Sequence, residues 1–157
     1  AVATMATIAK RIERDYPQKA LESHLPSTIP NAISAAVSSI ARQINAAAII
    51  PLTKSGATAK NVSKFRPATP VLAVTNERSV ASTLQLVWGV TPLLIENQES
   101  TSKTFDDAMA MAKKMSILKQ GDLVVETAGT LSGVSGSTDL VKVGIVSSEE
   151  ETGTLFI

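Results

Sequence analysis

At 157 residues and 44% apolar content, the chain has material for one packed domain, or one domain with an appendage. Fifteen basic and fourteen acidic residues leave a formal charge of +1, which gives neither a basic field for nucleic acid nor a polybasic membrane anchor. With no cysteine, disulfides and thiol catalysis are excluded and a reducing compartment fits, while aromatics at 3% leave the core to Val, Ile, Leu, Ala and Met. The longest apolar run, around Ala46 to Leu52, falls well short of the ~20 residues that a spanning helix needs.

In chain order, Ala1 to Tyr16 carries Val2, Met5, Ile8, Ala9 and Ile12 on one stripe, with Lys10, Arg11, Glu13 and Arg14 opposite. That spacing predicts an amphipathic helix ended by Pro17. It begins without a cap, which suggests a segment cut from a longer polypeptide. Gln18 to Pro26 reads as a polar connection, and its His24, the single histidine, as a surface residue without ligand neighbours. Thr28 is placed to cap a second helix, with Pro30 in the first turn and Ile33, Ala36, Val37, Ile40, Ala41 and Ile44 on its apolar face.

Ala47 to Arg66, AAIIPLTKSGATAKNVSKFR, is the most informative stretch. A short buried strand over Ala47 to Leu52 leads into a polar turn, and Ala59, Val62 and Phe65 then fall at helical spacing. The first N–H groups of such a helix have no intrahelical partner and stand at the positive end of its dipole, an arrangement that binds phosphate. Gly56 lets the backbone approach a ligand, Thr53, Ser55 and Thr58 bring hydroxyls, and Lys54 adds charge. The alternative on spacing alone is an ordinary helix cap, because the turn lacks the Walker pattern.

The strand and helix alternation then repeats. PVLAVT (Pro70 to Thr75) reads as a strand, Asn76 as the cap of a helix through Val87, and VTPLLI (Val90 to Ile95) as a third strand, with Pro92 arguing for an edge. Ser100 to Thr104 reads as a loop, and Thr104 with Asp107 as the start of a helix stopped by Gly121. Asp106 and Asp107 are assigned to its first turn, where acids stabilise the dipole, in preference to catalysis. DLVVET (Asp122 to Thr127) and LVKVGIV (Leu140 to Val146) read as the last two strands. The Gly- and hydroxyl-rich loop between them is too long for a minimal hairpin. The tail from Ser147, with Glu149 to Glu151, reads as a solvated end.

Several segments together resemble the C-terminal regulatory domain of bacterial pyruvate kinase. They are TKSGAT (Thr53 to Thr58), KFRPATPVLAVT (Lys64 to Thr75), LQLVWGV (Leu84 to Val90), KQGDLVVETAG (Lys119 to Gly129) and GSTDLVKV (Gly136 to Val143), in the family's order and spacing. The resemblance implies an α/β fold: a five-stranded, mixed, mostly parallel sheet with helices on both faces. It also implies three parts: a terminal helix of a catalytic barrel over residues 1–17, the regulatory domain over 18–146, and a flexible tail over 147–157. The parent enzyme would transfer phosphate from phosphoenolpyruvate to ADP in the cytoplasm, using Mg2+ and K+, while this domain would carry no catalytic residue, metal or cofactor.

The site it implies holds the phosphate of an allosteric sugar phosphate on Thr53, Lys54, Ser55, Gly56, Ala57 and Thr58. A covering loop would comprise Gly133, Val134, Ser135, Gly136, Ser137 and Thr138. One departure stands out: where fructose 1,6-bisphosphate-activated relatives hold the second phosphate with an arginine, this chain has about Thr104, with Lys103 adjacent. A lysine lacks the arginine fork, so a sugar monophosphate fits at least as well. The implied partners are the effector, the barrel and other copies of the chain in a homotetramer, with no nucleic acid or membrane. Two rival classes remain open: a free-standing phosphosugar-processing enzyme using Lys54 or the Asp106–Asp107 pair, and a purely structural oligomerisation module.

Overall fold

The computed structural model describes residues 1–15, 26–129 and 137–147. Its elements are α1 (Val2–Asp15), α2 (Ile29–Gln43), β1 (Ala48–Pro51), α3 (Ala57–Lys64), β2 (Val71–Thr75), α4 (Arg78–Leu84), β3 (Val90–Leu94), α5 (Thr101–Lys114), β4 (Leu123–Gly129) and β5 (Thr138–Ile145). The strands form one five-stranded sheet in the order β3-β2-β1-β4-β5. All neighbours are parallel except β4 and β5, which pair antiparallel. The mixed, mostly parallel sheet expected from the sequence is therefore present.

Helices cover both faces, as a buried parallel sheet requires. On one face Ala48, Ile50, Leu72, Val74, Val124 and Ala128 pack against Phe105, Ala108 and Ala112 of α5. On the other, Ile49, Val71 and Val125 meet Val37 and Ala41 of α2 and Val62 of α3. Ala73 meets Ala59 of α3 and Leu84 of α4. Since successive strand residues point to opposite faces, β1 and β2 are apolar or small at every position and buried throughout. Pro92 is tolerated because β3 is an edge strand.

The expected caps hold in one helix and shift in others. Thr28 caps α2, its Oγ1 accepting from Asn31 N at 3.4 Å. Asn76 does not cap α4, which starts at Arg78 after Glu77 and ends at Leu84, three residues short of Val87. Thr75 instead holds the approach, its Oγ1 accepting from Glu77 N. Helix α5 begins a turn earlier than expected, capped by Ser100 through Lys103 N. Thr104 is buried inside the helix and donates to Ser100 O at 2.7 Å. Asp106 and Asp107 consequently leave the first turn, and Asp107 pairs with Lys103 one turn back. The helix ends at Lys114, where Ser116 takes a left-handed φ of 59°, so Gly121 is not its stop.

Candidate functional site at the strand switch point

The chain leaves the carboxyl ends of the paired strands β1 and β4 in opposite directions across the sheet. From β1 the chain goes through α3 to β2 on one side, whereas β4 lies on the other side. Open α/β sheets form their ligand crevices at such switch points. The turn after β1 is fixed from both flanks: Leu52 N donates to Thr127 O of β4 at 2.8 Å, and Thr53 N donates to Val74 O of β2 at 2.9 Å. Thr53 is buried there, while Lys54 and Ser55 face solvent.

Gly56 is the N-cap of α3 with φ +84°, and no side chain caps the helix. A Cβ at Gly56 would meet Leu84 Cδ2 at 3.3 Å and Val80 Cγ1 at 3.4 Å, so both conformation and space favour glycine. Ala57 opens α3, half-buried, and Thr58 follows, buried. The front of α3 thus presents helical N–H groups beside a lysine that makes no ion pair with a described residue.

The second expected loop reaches the same place. Thr138, the first residue of β5, is buried, and its Oγ1 shares a 2.9 Å hydrogen bond with Thr58 Oγ1 across 80 positions of sequence. Thr127 Oγ1 donates to Leu140 O at 2.8 Å and locks β5 to β4 just beyond. Ser137 is half-buried beside Thr138. Gly133, Val134, Ser135 and Gly136 lie outside the described residues, as does His24. Asp106 and Asp107 belong to α5 and do not belong to this turn. Among the described residues no three acidic or histidine side chains converge as metal ligands.

Beside the crevice stands a group that sequence reading missed. Glu126 of β4 is fully buried on the α5 face, registered opposite Lys142 of β5. Lys142 Nζ lies 3.1 Å from Oε2 as an ion pair, and beyond that pair neither carboxylate oxygen receives a hydrogen bond from a described residue. Gly144 makes room for the carboxylate, since a Cβ there would stand 2.5 Å from Oε1. Burial raises the Glu126 carboxyl above its ordinary range; Lys142 pulls it back, and Asp106 adds to the rise. A polar residue in a buried strand was the available signal, although its partner needs the β4–β5 register.

Fold and crevice define an open-sheet α/β domain whose switch point joins a glycine turn to a hydroxyl-bearing strand start. The family model described as "Pyruvate kinase, alpha/beta domain" matches residues 31–144, and the chain belongs to that family. Pyruvate kinase 2 of Synechocystis sp. is 57% identical over 146 residues, covering 93% of this chain and 25% of the relative. A Staphylococcus aureus pyruvate kinase is 34% identical over 157 residues, covering 98% of this chain and 27% of its own. In a solved structure of Cryptosporidium parvum pyruvate kinase in complex with ADP, the match has a TM-score of 0.70 at 30% identity, over 77% of this chain and 24% of that one. The chain thus spans about a quarter of the length of the curated relatives it matches. No helix among the described residues is long and apolar enough to cross a membrane.

Proposed function

We propose that this chain is the effector-binding and subunit-contact domain of a pyruvate kinase, with a sugar phosphate seated at the carboxyl ends of β1 and β4. The observation that carries this reading is the buried Thr58–Thr138 hydrogen bond, which joins the two segments expected to surround the ligand. The phosphate would rest on the turn Thr53, Lys54, Ser55, Gly56, Ala57 and Thr58, against the α3 N–H groups. The segment Gly133 to Thr138 would close over it. Lys103 supports a monophosphate over a bisphosphate, because its ammonium is engaged by Asp107, which also holds its pKa above the ordinary value.

In the parent enzyme the catalytic barrel would transfer phosphate from phosphoenolpyruvate to ADP with Mg2+ and K+, and this domain would regulate it from the cytoplasmic tetramer. Regulation follows if the ligand binds one quaternary arrangement better than another, since only differential affinity shifts an equilibrium. Residues 1–17 would belong to the barrel, 18–146 to this domain and 147–157 to a tail. Support for a barrel contact comes from α1, whose Val2, Met5, Ile8 and Ile12 are 54–81% exposed. Support for pairing between copies comes from the edge strand β5, where Val143 and Ile145 are exposed.

Calorimetric titration of the chain with fructose 1,6-bisphosphate and with glucose 6-phosphate tests the reading. Saturable heat whose affinity falls in Lys54→Ala is the expected result. Turnover of either sugar phosphate would instead make the chain a phosphosugar enzyme, and silence toward both would leave a structural oligomerisation module.

A further inference from the structure

A second cavity lies at the opposite, amino end of the strands. It has a volume of about 330 Å3 and is walled by the end of α2, by Asn45 and Ala46 before β1, and by residues 65–70 before β2. At ~30 Å3 per water this is room for about ten waters, enough for a phosphate group with a short carbon body. Two of its lining side chains are cationic, Arg42 and Arg66, and no carboxylate lines it. Neither guanidinium makes an ion pair with a described residue.

The backbone around it is set by the ends of two helices. Among the described residues three non-glycine positions have positive φ, and two of them, Asn45 at 51° and Arg66 at 47°, line this cavity. Each directly follows a helix C-cap, Ile44 of α2 and Phe65 of α3, where a left-handed residue ends the helix, so the cavity lies where two helix ends turn into strands. Arg66 is held further by its stack on Trp88, with Cζ 4.8 Å from the ring centroid, and by Arg66 N donating to Ser63 O at 3.0 Å. Apolar surface comes from Phe65, Pro67 and Pro70.

We propose that this cavity is a second anion site, which takes the phosphate group of a small phosphate monoester between Arg42 and Arg66. Two guanidinium groups bring up to about ten N–H donors and two positive charges, which suits a dianion with three terminal oxygens better than a single carboxylate. The proline and phenylalanine wall receives the carbon body. Strand β1 separates this site from the turn at Gly56, so the two are independent in position.

Trp88 is the single tryptophan of the chain and sits under Arg66, so it reports on the cavity directly. The experiment titrates inorganic phosphate, and then glycerol 3-phosphate with glycerol as control, into the full chain at constant ionic strength while Trp88 emission is read. A saturable change is expected with phosphate and with glycerol 3-phosphate but not with glycerol. Arg42→Ala and Arg42→Glu should each weaken the apparent affinity at least about tenfold, with unchanged circular dichroism. Lys54→Ala, which disables the other end, should retain the response. A response that persists in both Arg42 variants, that disappears in Lys54→Ala, or that potassium chloride reproduces would overturn the proposal.

Discussion

The two ends of the sheet handle charge by different means. At the carboxyl end the crevice is made of main chain and hydroxyls: an uncapped helix, Gly56 at φ +84°, and the Thr58–Thr138 hydrogen bond, with Lys54 the lone cation of the turn. At the amino end the cavity offers side chains: Arg42 from the last turn of α2, and Arg66 just past α3, stacked on Trp88. The main-chain donors belong to the front of α3, and the turn that carries them is fixed by its hydrogen bonds to β2 and β4. Guanidinium groups need a scaffold of their own, and the connections after α2 and α3 provide one. In a parallel α/β sheet the helix N-terminal donors gather at the carboxyl ends of the strands, so an anion site at the other end would be built from side chains.

The contrast can be broken most sharply at Lys54. Lys54→Ala should weaken sugar phosphate binding at the carboxyl end by roughly 10–100-fold, the value of a charged hydrogen bond of about 1.5–3 kcal/mol. Calorimetry reads it, and folding stability should hardly change, because Lys54 is exposed. Next comes Thr58→Val, which strands the buried Thr138 hydroxyl and should cost about 1–3 kcal/mol in urea denaturation. Adding Thr138→Val should recover much of that loss, since removing both partners leaves nothing unsatisfied. If the double variant is no better than the single one, the hydroxyl contact is not what joins β5 to α3.

Gly56→Ala should destabilise by about 1–2 kcal/mol, the cost of a left-handed L-residue, and should also weaken the ligand. The smallest effect concerns Glu126, and its sign follows from burial. The folded carboxyl keeps its proton to higher pH than the unfolded chain, whose value is near 4.5. Its contribution is therefore complete below the unfolded value and is lost as pH rises through the raised folded value. Glu126→Gln should melt higher than the parent chain at neutral pH, with the advantage shrinking toward pH 4 in thermal scans. An advantage that grows toward acid would show that the Lys142 pair outweighs burial.

Much of this organisation was legible in the residues. Apolar runs of four to six residues alternating with helical stripes gave the strands and their order in the chain, and Pro92 marked an edge that proved to be β3. The turn at Thr53 to Thr58 announced itself through Gly56, because few local structures other than a left-handed cap ask for glycine before a helix. Helix starts were less legible. Ser100 and Thr104 are both capping residue types one turn apart, and only the burial of Thr104 within α5 decides between them. Partnerships distant in sequence left the least trace. Thr58 with Thr138, Glu126 with Lys142 and Gly144, and Arg66 with Trp88 depend on sheet register or on how connections fold back. No local pattern encodes them.

The most direct measurement follows the backbone amides at the front of α3. In 15N-resolved spectra, glucose 6-phosphate added to the chain should move the Ser55, Gly56, Ala57 and Thr58 amide signals downfield, saturably and together, with little change around Ala48 or Val71. Unmoved amides at those four positions, with saturable shifts elsewhere, would contradict an anion site built on the α3 N-terminus.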